Sequence, residues 1–247
     1  MIRNPIHKVL LTLKKYNVQA LLSGGQACIL YGAAEFSRDT DFVILASPAN
    51  IEALRKTLRE LKAEQIFLPP LQLDYLKRGH ACHFRCHHPA CEGLRIDVIS
   101  RLRGCDEFPL LWERRGIFDL PGPGPISLLS LPDLVQSKKT QRDRDWPMIR
   151  RLVEVDYITR KAEATEADIL WWLGASRTPT HLIELAAAHP ALLSKITDRP
   201  WLQETVTADQ ETLAECLAEE ERQIRAEDRR YWQVLRNELE AMRHNRR

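Results

Sequence analysis

The chain has 247 residues, 44% of them hydrophobic and 28% charged, which allows a sizeable core and excludes a core-poor miniprotein, a disordered chain and a fibrous one. Lys and Arg total 36 against 34 Asp and Glu, so the net charge of +2 excludes a strong overall attraction to nucleic acid while leaving room for local basic patches. No apolar run approaches the roughly 20 residues that cross a bilayer. Charges also interrupt the short apolar stretch of the opening MIRNPIHKVLLTLKK, so neither a membrane span nor a signal peptide is expected and the protein reads as cytoplasmic. In that reducing setting the six cysteines are expected as free thiols or metal ligands instead of disulfides.

From Pro5 to Tyr16, Ile6, Val9, Leu10 and Leu13 recur at helical spacing, and residues 18–22 read as a short buried strand. Ser23-Gly24-Gly25 reads as a turn, Gln26–Tyr31 as a short helix and Thr40–Leu45 as the next strand. Ser47 or Asn50 would cap a helix carrying Ile51, Leu54, Leu58 and Leu61. The runs ACHFRC and LRIDVIS read as a β-hairpin, and a third β-rich patch, Ile117–Leu129, is broken by PGPGP.

Beyond Leu131 helical periodicity takes over, so a boundary near residue 160 is expected between an α/β (α+β) domain, residues 1–160, and an all-helical C-terminal domain, residues 161–247. From about residue 204 to 246, Leu213, Leu217, Ile224, Tyr231, Leu235, Leu239 and Met242 mark one long amphipathic helix. Its charged positions read as a solvated face, and a coiled-coil seam, the alternative, is interrupted by Asp228.

Asp39 and Asp41 stand two apart at the head of a strand and so project to the same side. Asp97 lies mid-strand with Ile96 and Val98 turned to the opposite side, so its carboxylate leaves the apolar layer and needs a partner. Carboxylates converging from neighbouring strands repel one another unless a hard cation lies between them, and an all-oxygen cluster suits Mg²⁺. Upstream, the small residues Ser23, Gly24 and Gly25 let backbone N–H groups approach an anion closely, although such a turn is by itself an ordinary connection.

An apolar strand ending in Gly-Gly, thirteen residues, Asp-x-Asp at a strand start and then a lone Asp in a later strand resembles the DNA polymerase beta-type nucleotidyltransferase superfamily. Leu131-Pro132-Asp133-Leu134, followed by Lys138, Lys139, Arg142 and Asp145, looks like the segment after the sheet in bacterial AbiE-type toxin nucleotidyltransferases, with its basic residue and Arg-x-x-Asp pairing. The resemblance spans about residues 18–155. It implies a nucleotidyltransferase fold with a small mixed twisted sheet. It further implies Mg²⁺-dependent transfer of an NMP from an NTP, ATP among the candidates, to a hydroxyl of RNA, protein or a small molecule, and a toxin role with an antitoxin partner.

By the same resemblance Ser23, Gly24 and Gly25 would hold the triphosphate, and Asp39 and Asp41 would bind metal. Asp97 would bind one metal and orient or deprotonate the attacking hydroxyl. Arg38 and Lys138 would neutralise phosphate charge, with Lys139 able to exchange roles with Lys138. The second Gly, where many members carry Ser, removes a hydroxyl that often touches a phosphate. The competing reading of the residues ties Asp97 to Arg95 or Arg101 and makes the chain a catalytically degenerate nucleotide-binding or zinc-stabilised interaction module.

Four His and three Cys crowd residues 80–91. Cys82, Cys86 and Cys91 lack a second ligand pair, so no structural zinc is expected. The alternatives are buried cysteines flanking Phe84, or a cleft beside Asp97 lined by His83, His87 or His88. Trp112, Trp171 and Trp172 read as core, whereas Arg101, Arg103, Arg114 and Arg115 read equally as a basic rim or a solvated face.

Overall fold

The computed structural model describes residues 5–204 and 209–244. It is a mixed α/β protein whose chain divides into two compact units, Met1–Ser137 with Tyr231–Arg247, and Lys138–Arg230. The division at 137/138 falls upstream of the change expected near 160, because the helix Asp145–Arg160 packs with the helix Glu166–Ala175.

The first unit opens with α1 (Pro5–Lys15), whose Ile6, Val9, Leu10 and Leu13 are buried. Asn17 takes a left-handed φ of 53° and the Val18 N–H bonds back to the Leu13 carbonyl at 3.0 Å, closing the helix. Val18 is thereby spent on the turn, and β1 runs Ala20–Ser23, two residues later than expected. No free turn follows. Helix α2 (Gly24–Leu30) starts at once, then come β2 (Asp39–Ile44) and α3 (Pro48–Glu60), where Ser47 caps by accepting from the Asn50 N–H at 3.2 Å. Asn50 is no cap. It is buried, accepts from the Gln19 N–H at 2.7 Å and donates to the Leu45 carbonyl at 2.9 Å, joining the start of β1 to the end of β2.

After β3 (Glu64–Gln65) and α4 (Leu73–Arg78), β4 (Cys82–Arg85) and β5 (Arg95–Ile99) form the expected antiparallel pair. Helix α5 (Phe108–Glu113) precedes β6 (Gly116–Leu120) and β7 (Gly124–Leu128), which pair across the PGPGP break. Helix α6 (Leu131–Ser137) ends the segment. The strands make one seven-stranded mixed sheet in the order β3-β4-β5-β2-β1-β7-β6. β2 is antiparallel to β1 and parallel to β5, so residues far apart in sequence meet at its centre.

The second unit contains α7 (Asp145–Arg160), α8 (Glu166–Ala175), α9 (Pro179–Ala188) and α10 (Trp201–Glu204). A capping box between Thr165 and Asp168 starts α8, and buried Arg199 donates to the carbonyls of Leu173 and Ser176 at 3.0 and 2.9 Å. Helix α11 (Gln210–His244) is the expected long helix; residues 205–208 and 245–246 of that expectation lie outside the described residues. Leu213, Leu217 and Leu235 on its stripe are buried. Asp228, which breaks the stripe, is also buried and accepts from the Gln141 N–H at 2.8 Å.

Candidate functional site

Strand alternation sorts the centre of the sheet into two faces. Thr40, Phe42, Phe84, Ile96 and Val98 are buried, while Asp39, Asp41, His83, Arg95 and Asp97 sit between them, each half-buried on the other side. The register aligns them into a row, His83 beside Asp97, Asp97 beside Asp41 and Asp41 beside Ser23, with Asp39 beside Arg95 one step away. Three carboxylates, a guanidinium and an imidazole therefore share one polar face.

Asp97 is held from two sides. Arg95 Nε donates to its Oδ1 at 2.8 Å, and His83 Nδ1 lies 2.9 Å from the same oxygen and 3.1 Å from an Arg95 nitrogen. One ring nitrogen cannot serve both: protonated it donates to Asp97, unprotonated it accepts from Arg95. Burial works to raise the Asp97 pKa, but the hydrogen bonds and charges of His83 and Arg95 prevail and hold it below the ordinary carboxylate value. The exposed Phe67 ring completes the group, 5.7 Å from the Arg95 guanidinium carbon and 5.8 Å from the His83 ring. The expected alternative partner, Arg101, is engaged elsewhere, with Glu107 at 2.7 Å. Among the described residues no three His, Cys, Asp or Glu side chains are posed around one point as metal ligands.

Ser23, Gly24 and Gly25 lie against this row. Gly24 has a φ of 61°, and a Cβ there would fall 1.9 Å from Asp41 Oδ2, so the backbone seats directly on the carboxylate. A Cβ on Gly25 would meet Ser37 Oγ at 2.4 Å. Ser37 in turn donates to the Asp39 carbonyl at 3.0 Å, and Gln26 Nε2 to the Ser37 carbonyl at 3.1 Å, so the loop before β2 is braced on α2. Arg38 on that loop is exposed. Ser23 makes no side-chain capping bond, and α2 is only seven residues long, so its dipole adds little.

Lys138, Lys139, Arg142 and Asp145 belong to the second unit. There Asp145 is buried, with Arg142 Nε at 3.0 Å, Lys138 Nζ at 3.7 Å and the Thr140 hydroxyl donating at 2.6 Å, which realises the expected Arg-x-x-Asp pairing. Lys138 and Lys139 are both half-buried, and burial, aided by Arg199 and Arg177, lowers the Lys139 pKa. In the first unit Asp133 of the LPDL segment is structural, receiving two bonds from Arg114 at 2.7 Å and one from Ser130 at 2.6 Å.

The His/Cys segment disperses. Cys82, Cys86 and Cys91 are buried, and burial pushes the thiols of Cys82 and Cys86 up to about 12. None of the six cysteines is joined in a disulfide. His83 faces Asp97, whereas His87 pairs with Glu92 at 3.1 Å, His88 Nδ1 accepts from the Ala90 N–H at 3.1 Å and His80 meets Glu238 at 2.8 Å. The arginines considered as a rim are matched by partners: Arg114 by Asp133 and Asp106, Arg115 by Ser127 and the Trp112 ring, Arg101 by Glu107. Trp172 is core, but Trp112 is half-exposed under Arg115. A cleft of about 440 Å³ opens beyond the end of β5, lined by Arg78, Arg101, Arg103, Asp106 and Tyr231.

Sequence reading named Arg95 and Arg101 together as possible partners of Asp97 and did not single out Arg95, which donates to Asp97 and lies beside Asp39 in register. Its position two residues before Asp97, hence on the same face, was the available signal. Comparison of the chain with protein-family models and with curated proteins found no match.

Proposed function

We propose that the chain is a Mg²⁺-dependent nucleotidyltransferase that moves an NMP from an NTP to an acceptor hydroxyl. The observation that carries this is the register placing Asp41 beside Asp97, with Asp39 on the same face and Gly24 pressed against Asp41. The donor set fits a hard divalent cation: carboxylate oxygens from two strands, with the Gly24 backbone seated against one of them. When bound, Mg²⁺ would neutralise phosphate charge and polarise the attacking and leaving oxygens. Asp39 and Asp41 would hold metal, and Asp97 would bind one metal as well. Asp97, kept anionic by its neighbours, would accept the proton of the acceptor hydroxyl or orient it. The Ser23–Gly25 backbone would face the triphosphate, with Arg38 supplying exposed positive charge.

The acceptor is an RNA end, a protein side chain or a small molecule, and the nucleotidyltransferase fold and the toxin role with its antitoxin belong to the same proposal. A second reading, a degenerate nucleotide-binding module, is favoured by one observation, the ion pair that engages Asp97. Calorimetry with each NTP and Mg²⁺ separates them. The enzyme reading expects Mg²⁺-dependent nucleotide binding that weakens in Asp41→Asn and turnover when acceptors are added; binding without turnover toward RNA, protein and metabolite extracts favours the module.

A further inference from the structure

We infer that Arg95 is a resident counter-cation of the three carboxylates, and that a divalent ion binds this face by exchanging with its guanidinium. The inference rests on the metal-site reading above and adds how that site is poised. Three anionic side chains on one face repel one another, and strand register fixes how closely their backbone positions lie. Arg95 answers that repulsion from within. It neighbours Asp39 in register, donates to Asp97 at 2.8 Å and lies on the same strand face as Asp41.

A guanidinium and a divalent cation compete for the same oxygens. Asp97 Oδ1 accepts from Arg95, so a divalent ion that takes this oxygen replaces the guanidinium bond. The released guanidinium has a place to rest, since Phe67 lies 5.7 Å from its carbon and the Phe67 loop is braced by Gln65 Nε2 donating to the carbonyls of Phe67 and Pro69 at 2.8 and 2.5 Å. Arg95 is thus a positioning residue: it balances the carboxylates' charge before metal arrives and sets the affinity with which metal is taken.

The test titrates full-length wild type, Arg95→Gln, Arg95→Lys and the double variant Arg95→Gln with Asp41→Asn with Mn²⁺, reading free metal by electron paramagnetic resonance. Arg95→Gln is expected to bind about tenfold tighter, equivalent to roughly 1.4 kcal/mol, and Arg95→Lys close to wild type; the double variant loses the gain. Without metal Arg95→Gln melts below wild type, and Mn²⁺ raises its Tm more. Equal affinity in wild type and Arg95→Gln overturns the counter-cation role while the metal site stands. No saturable binding in wild type or Arg95→Gln overturns the metal site and the inference together. Should Arg95→Gln not fold, the Arg95 Nε–H resonance of wild type decides: it is expected to shift on Mg²⁺ saturation, and an unmoved resonance rejects exchange.

Discussion

At position 24 a methyl group has nowhere to go. Its φ of 61° disfavours any L side chain by roughly 1 kcal/mol, and a Cβ would lie 1.9 Å from Asp41 Oδ2, so Gly24→Ala must move either the backbone or the carboxylate. We expect a measurable loss in urea stability together with a loss of nucleotide turnover, and an alanine variant with wild-type turnover would separate this glycine from the site. The three aspartates, equivalent in the sequence pattern, are not equivalent in the fold. Asp41→Asn should leave the fold intact and remove Mg²⁺-dependent turnover, since a neutral amide cannot replace an anionic ligand. Asp97→Asn should in addition lower metal-free stability, by about 1 kcal/mol, because it strips Arg95 and His83 of their shared carboxylate. Differential scanning calorimetry of the two variants without metal checks the contrast: equal melting would contradict it.

One carboxylate ties α1 to α3 in the first unit. Glu60 on α3 receives Lys8 at 2.7 Å, Lys15 at 2.5 Å and Tyr16 at 2.9 Å from α1 and its end. The bonds from Lys15, Lys8 and Tyr16 lower its pKa from 4.5 to about 2. A depressed carboxylate contributes stability that is fully present above the unfolded value and is lost as pH falls, here between about 4.5 and 2. Because the group is solvent-screened, the effect should be modest and salt-sensitive. Titration of the Glu60 carboxyl carbon by NMR checks it; a midpoint at the ordinary value would remove the clamp. Buried Cys82 and Cys86, with thiols pushed up to about 12, should react slowly with a disulfide reagent at neutral pH, and purified protein is expected to carry no stoichiometric zinc. Elemental analysis finding one zinc per chain, lost in Cys82→Ser, would reverse that. The same elements show what a sequence makes legible. Periodicity located α1, α3, the β4/β5 pair and α11 because each buries its own stripe. It placed Asp39, Asp41 and Asp97 on strands, and alternation gave their face. It could not give the β1-β2-β5 order, which sets Asp41 beside Asp97, or choose Arg95 over Arg101, since both depend on pairing between distant segments.

Across the whole molecule, α11 serves both compact units, ending in the first from Tyr231 onward. Within that unit Glu238 meets His80 at 2.8 Å and Arg78 at 3.4 Å, and a Cβ on Gly79 would fall 2.9 Å from the Tyr231 hydroxyl. Ending the chain after Ala226 removes these contacts and buried Leu235, and is expected to lower solubility and Tm, whereas Arg229→Glu with Arg230→Glu on exposed positions should leave Tm nearly unchanged. A truncated chain that melts like the full one would make the last turns of α11 dispensable. Transfer of a nucleotide by the Asp39, Asp41 and Asp97 face is tested by incubating the full-length protein with each α-³²P-labelled NTP, Mg²⁺ and, in turn, total RNA, total protein and a metabolite extract. Label should move to one acceptor class in wild type and to none in Asp41→Asn. Label transferred equally by Asp41→Asn, or never transferred from any NTP, would contradict the account.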